Sequence, residues 1–221
     1  MWLLITTLGS FNVQWNYFTH AYHSNHDLKD RYVAITFDDG PHEKYTPMVL
    51  DILKKYNAKA TFFCIGVNAE KYPQIIKEVA EQGHVIGNHS YSHVNSFGFF
   101  NSEKVSNELR KTNNIMFDII NKKLLLFRPP FGVTNPAIVK AISMSEFKVI
   151  GWNKRSLDTV IKNEIHIEKR ITKNLKSGDI ILLHDTSAKT VHVLEQLLLF
   201  LQKNDFKTLT VDNMLNISAY A

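Results

Sequence analysis

Two adjacent carboxylates, two imidazoles four residues apart, a guanidinium in a proline-stiffened loop and an imidazole closing an apolar run stand out in this sequence of 221 residues. In Thr36-Phe37-Asp38-Asp39-Gly40-Pro41 two like charges sit side by side directly after an apolar run, so something must neutralise them. A plain Asp-Gly turn would account for the second acid alone. In His89-Ser90-Tyr91-Ser92-His93 the imidazoles would share one face of a helical turn and could chelate one cation. One carboxylate plus two imidazoles makes a three-ligand site with open positions, as a catalytic metal requires, and leaves the other acid free to act as base. Arg128, in Phe127-Arg128-Pro129-Pro130-Phe131-Gly132, could hold a carboxylate in a bidentate grip, a solvated surface turn being the plain alternative. The run Ile180-Ile181-Leu182-Leu183-His184-Asp185 ends in an imidazole suited to a general acid, with a satisfied core histidine as the competing reading. His20, His23, His26, His42, His166 and His192 read as surface or packing residues. The single cysteine, Cys64, excludes an internal disulfide and a Cys-rich zinc site, so His, Asp or Glu must hold any metal.

The elements that must position these groups follow from the hydrophobic pattern. Strand-length apolar runs lie at Tyr32–Phe37, Ala60–Ile65, His84–Gly87, Leu124–Phe127, Phe147–Trp152, Asp179–Leu183 and Lys207–Val211. Between them lie segments of helical period, such as Val49, Ile52, Leu53 and Tyr56, or Val191, Leu194, Leu197, Leu198 and Leu201. Asn101-Ser102 before Glu103 and Asn135-Pro136 mark helix starts. This alternation predicts parallel strands joined by right-handed crossovers, hence an α/β fold with an open sheet or a β/α barrel. The chemical groups follow strands: Asp38 and Asp39 the first, His89 and His93 the third, Arg128 the fourth, Asp158 the fifth, His184 the sixth. Parallel strands end on one face, so a single cluster can gather them all.

Composition bounds the alternatives. With 44% hydrophobic and 21% charged residues the chain is a folded domain with a sizeable core. The net charge of +5 raises an acidic partner, but basic pairs such as Lys54-Lys55, Lys122-Lys123 and Lys169-Arg170 adjoin helix-like runs and read as solvated faces, so no nucleic-acid partner is expected. The first 28 residues contain no Lys or Arg, a single acid, Asp27, and the aromatics Trp2, Phe11, Trp15, Tyr17, Phe18 and Tyr22. Their apolar stretch, Trp2 to Leu8, is far shorter than the roughly 20 residues that span a bilayer. Residues 1–30 are read as an aromatic arm packed on the domain or a truncated membrane anchor, with possible membrane association, and residues 31–221 as the catalytic domain, a monomer. Phosphate-loop, dinucleotide and Ser-hydrolase signatures are absent.

In combination, Thr36-Phe37-Asp38-Asp39-Gly40, His89-Ser90-Tyr91-Ser92-His93, Arg128-Pro129-Pro130-Phe131-Gly132 and Leu182-Leu183-His184 resemble the ordered motifs of the polysaccharide deacetylases, the NodB-homology or carbohydrate esterase 4 family. The likeness runs from about Tyr32 to Val211, and Thr61-Phe62-Phe63-Cys64-Ile65-Gly66 and Gly83-His84-Val85-Ile86-Gly87-Asn88 add to it. The resemblance implies a distorted seven-stranded (β/α) barrel and a metal-dependent deacetylase that releases acetate from N-acetylglucosamine-type sugars of peptidoglycan or a chitin-like polymer, outside the cytoplasm or at the envelope. It further implies one divalent ion held by Asp39, His89 and His93, with Zn2+ expected and Co2+, Ni2+ or Mn2+ possible. By the same resemblance Asp38 is the base, Arg128 orients it, the Phe131 N–H stabilises the oxyanion, Leu182 lines the acetyl pocket, and His184 is the general acid oriented by Asp158. The sequence departs from the family's Asp-x-x-Asp-Trp pattern at Arg155 and Thr159, and Trp152 is read as replacing the missing aromatic wall. Three rivals stand beside this reading: a hydrolase of another amide, a non-haem iron oxygenase using Asp39, His89 and His93 as its facial triad, and a non-catalytic carbohydrate-binding protein.

Overall fold

The structure, a computed structural model, describes residues 2–221, with side chains from residue 5 onward. Expectations for Met1 and for the side chain of Trp2 in the amino-terminal arm lie outside the described residues. Among the described residues nine strands form one curled sheet: β1 (Ala21–Tyr22), β2 (Tyr32–Asp38), β3 (Ala60–Cys64), β4 (Val85–Asn88), β5 (Leu126–Phe127), β6 (Lys148–Ile150), β7 (Lys154–Arg155), β8 (Ile180–His184) and β9 (Lys207–Thr208). Their order is β1-β6-β5-β4-β3-β2-β8-β7, with β9 on β2, and every pairing is parallel. The α/β fold expected from the alternation is therefore the fold observed.

Each expected apolar run contains a strand, and the central ones are buried on both faces, which is why they read as continuous apolar stretches. In β2, Val33, Ile35 and Phe37 pack with Ile181 and Leu183 under the covering helices, among them Tyr45–Lys55 and Ala188–Lys203. The alternate residues point into the concave side of the sheet, where Ala34 joins Ile180 and Leu182. Thr36 and Asp38 share that parity, so the first acid of the pair points inward. Strands β1 and β7 have two residues each, too few for any period to register in the sequence. The last expected strand is shorter than its apolar run, because Val211 begins the helix Val211–Leu215.

The amino-terminal segment fastens the seam of the curled sheet. Val13 and Ala21 are buried in the concave-side core. Gln14 Nε2 donates to Trp152 O (2.5 Å), Gly151 N to Tyr22 O (2.8 Å) and Asn25 N to Gly178 O (2.9 Å). Asn25 Nδ2 reaches Met214 O at 2.7 Å, and Ser24 forms an antiparallel bridge with Asp179. Among the described residues no helix is long and apolar enough to cross a membrane.

Register brings the chemical groups level. Asp38 pairs with His184 across β2 and β8, Cys64 with Asn88 across β3 and β4, and Asn88 with Phe127 across β4 and β5. The residues just past these positions, Asp39, His89 and Arg128, emerge together at the carboxyl ends of the strands.

Candidate active site

Arg128 is the hub. Among the described residues it is the largest fully buried side chain, and its guanidinium lies over the Phe63 ring at 4.1 Å. Nη1 donates to Asp38 Oδ1 (2.7 Å) and to Thr36 Oγ1 (2.8 Å), Nη2 to Gly151 O (2.7 Å) and Nε to Ile150 O (3.1 Å). The expected bidentate grip is not observed: one donor serves the carboxylate, and the rest of the fork ties β2 to the end of β6. Such satisfaction is what a buried cation demands. Burial pulls the guanidinium pKa down, and the charge of Asp38 opposes that pull. Thr36, which carried no expected role, is held in turn by donating to Ile181 O at 2.8 Å.

The main chain of Arg128 positions a second group. His89 Nδ1 lies 2.7 Å from Arg128 O, and since a carbonyl only accepts, this nitrogen carries the proton and leaves a lone pair on Nε2. That Nε2 is 3.4 Å from Asp39 Oδ1, as is His93 Nε2. One ligand atom from each of these three residues lies within 4.8 Å of the others. Asp39 Oδ1 is buried with no hydrogen-bond partner, an orphan oxygen between two imidazole nitrogens, which is the donor set a divalent cation fits. Burial acts to raise the Asp39 pKa, but the electrostatic pull of the neighbouring His89, His93 and His184 imidazoles holds it well below the usual carboxylate range. Burial, aided by His89, lowers the His93 pKa to about 4, so its ring is neutral and its lone pair available at neutral pH.

The His89–His93 segment is not the helical turn expected from the spacing. It is an irregular loop in which Ser90 and His93 have φ of 64° and 47°. Side chains of its neighbours impose that shape. Asn88 Oδ1 accepts from Ser90 N (2.9 Å), Ser90 Oγ from His93 N (3.1 Å), and Glu108 Oε2 from Tyr91 N (3.1 Å), Ser92 N (2.7 Å) and Ser92 Oγ (2.9 Å). Glu108 lies on the helix Ser102–Ile120, and no spacing in the sequence marks it apart from its neighbours.

On the opposite side His184 Nδ1 donates to Asp158 Oδ1 at 2.7 Å, and its Nε2 lies 4.0 Å from Asp39 Oδ2. Asp158 also accepts from His184 N, Ser156 Oγ and Thr190 Oγ1, each at 2.8 Å. Burial opposes the charged imidazole, yet the bond and charge of Asp158 prevail and raise the His184 pKa to about 9. Burial likewise acts to raise the Asp158 pKa, but His184 brings it below the ordinary value. Leu182 lies two residues before His184 on the same face, beneath the site. Trp152 is almost wholly buried against Gly132 and the Arg128 guanidinium, propping the Phe131 turn from behind rather than presenting its face to solvent.

Two further features shape the site. Phe131 has φ of 58° and Gly132 of 71°, and the Phe131 N–H donates to no acceptor among the described residues. A Cβ on Gly132 would press into the Trp152 ring, so glycine is required there on two counts. Asp185, which also carried no expected role, is buried with its carboxyl against Thr46 Oγ1 and directly under Gly40, where any Cβ would overlap it. Burial raises its pKa to about 7. The close packing over Asp185, beyond any simple Asp-Gly turn, explains the glycine at position 40.

Backbone strain is concentrated here. Elsewhere in the described chain, every non-glycine residue with left-handed φ is Asn or Asp, the types that tolerate it: Asn16, Asn57, Asn121, Asn174, Asp205 and Asn216. In the site they are Asp39, Ser90, His93, Phe131 and Leu157. Such conformations cost of order 1–3 kcal/mol each and persist where surrounding contacts dictate them.

The fold and site together define an α/β protein with, among the described residues, one Asp-His-His cluster that could hold a cation at the carboxyl ends of parallel strands. A family model described as polysaccharide deacetylase matches residues 25–150, and the chain belongs to that family. It is 37% identical over 191 residues to a peptidoglycan-N-acetylglucosamine deacetylase of Bacillus cereus, covering 84% of this chain and 89% of that one. It is 32% identical to the peptidoglycan-N-acetylglucosamine deacetylase PgdA of Listeria monocytogenes over 82% of this chain, and spans 38% of that protein's length. Among solved structures, the Bc1960 peptidoglycan N-acetylglucosamine deacetylase superposes with a TM-score of 0.84 at 33% identity, covering 91% of this chain and 94% of the other.

Proposed function

We propose that this protein is a metal-dependent deacetylase acting on N-acetylglucosamine residues of peptidoglycan, outside the cytoplasm at the cell wall. The observation that carries the reading is the orphan Asp39 Oδ1 between His89 and His93, flanked on one side by an arginine-held carboxylate and on the other by an aspartate-held imidazolium. Named relatives that act on peptidoglycan supply the substrate class.

Asp39, His89 and His93 hold the divalent ion, with zinc the expected metal and cobalt, nickel or manganese able to replace it. When bound, the ion supplies Lewis acidity at the acyl oxygen and eases the ionisation of water. Asp38 is the base: Arg128 fixes its Oδ1, leaving Oδ2, 3.8 Å from His89 Nε2, turned toward the ligand cluster to take a proton from water. The unpartnered Phe131 N–H holds the developing oxyanion, a contact worth roughly 3 kcal/mol in comparable sites. His184, kept protonated by Asp158, delivers a proton from Nε2 to the departing amine, releasing acetate and a free amino sugar. The exposed rings of Phe11, Phe99 and Phe131 line a groove of about 460 Å³ beside this centre, with Phe131 4.7 Å from the His93 ring, and there they offer stacking faces for sugar rings.

The test is mass spectrometry of products from N-acetylglucosamine oligomers and intact cell-wall glycan with added divalent ions. Loss of acetyl mass matched by free acetate is expected. Unchanged glycan with every ion would overturn the reading.

A further inference from the structure

The helix Glu164–Thr172 carries its charges in two separate stripes. Glu164 and Glu168 line a cleft with His192 on one side. His166, Lys169, Arg170 and the capping Lys173 follow the i, i+3, i+4, i+7 spacing of a single helix face. That second face looks onto the outermost strand β7, and between them runs a groove of about 470 Å³ whose walls also carry Lys154 and Arg155 and no acidic side chain. Lys154 is spoken for: its Nζ donates to Lys173 O and Asn174 O and lies 3.7 Å from Asp179. Arg155, Lys169, Arg170 and Lys173 are exposed and, among the described residues, none has an ion-pair partner within 4.0 Å. Arg170 Nε donates to Arg155 O at 2.8 Å, which leaves its terminal nitrogens open, and the Arg155 guanidinium lies 5.7 Å from the centroid of the Trp152 ring.

Four cations without acidic partners around one shallow groove repel one another, and an anionic chain laid along it would relieve that repulsion. Arg155 on one side and Lys169, Arg170 and Lys173 on the other suit an extended anionic chain laid along this open groove. Two guanidinium forks with two ammonium point charges are the donor types that hold phosphoryl oxygens. Nucleic acid fits less well, since single strands are held by stacking successive bases on several exposed rings, and this groove presents a single exposed ring, the His166 imidazole, with Trp152 buried.

We infer that the open groove between β7 and the helix Glu164–Thr172 binds a linear, non-nucleic polymer bearing phosphoryl charges, at a site separate from the Asp39 centre. None of the residues lining it belongs to that centre, so the inference stands or falls independently of deacetylation.

The test uses the full chain and fluorescently labelled short-chain inorganic polyphosphate, read by anisotropy across a salt series. The unaltered protein should bind with affinity falling as salt rises. The triple variant Lys169→Gln/Arg170→Gln/Lys173→Gln should lose about tenfold or more in affinity, with the log–log salt slope reduced by about 0.7 for each cation removed. A control, Lys122→Gln/Lys140→Gln/Lys148→Gln, removes equal charge elsewhere and should change affinity less than about twofold. If circular dichroism shows the triple variant unfolded, Arg155→Gln/Lys169→Gln takes its place with the same expectation. Equal losses in the control would overturn the inference by reducing it to net charge. Tighter binding of poly-glutamate, of oligodeoxythymidylate or of phosphatidylglycerol vesicles than of polyphosphate would overturn it in favour of carboxylate, nucleic-acid or membrane recognition respectively.

Discussion

At the residue scale, the two neighbouring aspartates are made different by their partners alone. Asp38 faces a guanidinium that must be satisfied, whereas Asp39 faces two imidazole lone pairs and has an oxygen with no other partner. Asp38→Asn should therefore abolish acetate release while one ion per chain remains, measured by elemental analysis of the dialysed protein. His93→Ala should lose the ion itself. Loss of metal from Asp38→Asn would mean that the two roles are exchanged. The His184–Asp158 pair makes a pH prediction. Its imidazole, raised from 6.5 to about 9 in the folded protein, contributes stability that is complete below the unfolded value and is lost as pH rises through about 9. Thermal melts of the metal-free protein should accordingly show a fall in midpoint between neutral and alkaline pH that Asp158→Asn flattens.

At the scale of elements, the site depends on a few side chains that lash strands and loops together. Arg128→Met leaves Asp38 buried and unpaired and frees three carbonyl or hydroxyl partners, so a urea titration should show a loss of about 3–5 kcal/mol. Glu108→Gln keeps the size of the side chain but removes the charge of the carboxylate that accepts from Tyr91 N, Ser92 N and Ser92 Oγ in the His89–His93 loop. Zinc affinity, followed by competition with a chromophoric chelator, should fall about 10–100-fold while the melting curve stays cooperative. These two residues also show what the sequence could and could not convey. The strands and the acids, imidazoles and arginine at their ends were legible, because alternation of apolar runs dictates parallel topology and parallel topology dictates a shared face. The loop conformations were not: the four-residue spacing suits a helical turn at His89–His93, whereas local bonds from Ser90 N to Asn88 Oδ1 and from His93 N to Ser90 Oγ, with long-range bonds to Glu108, hold the loop in its irregular form. Likewise, nothing in the Asp39-Gly40 dipeptide reveals the buried Asp185 carboxyl that excludes a larger residue from position 40.

At the scale of the whole molecule, the sheet curls without closing and its seam depends on residues 12–26. Val13, Gln14, Tyr22, Ser24 and Asn25 reach from the β6 side to the β8 side. Removing residues 1–26 exposes that seam, and the expected cost of more than about 3 kcal/mol corresponds to a drop of roughly 6–12 °C in melting temperature for a chain of this size. A truncated protein melting at the unaltered temperature would show the segment to be dispensable. The clasp that joins Asn25 to Met214 spans 189 positions of sequence, and Ile86 N–H waits on the Tyr220 hydroxyl, 134 positions away. Contacts of such reach form late, since the entropy of closing long loops must be met before they contribute. On the ribosome, therefore, a nascent polypeptide that has passed Asn25 but not yet Met214 cannot latch its own wall. Closure of the sheet's seam is thereby reserved for a nearly complete polypeptide.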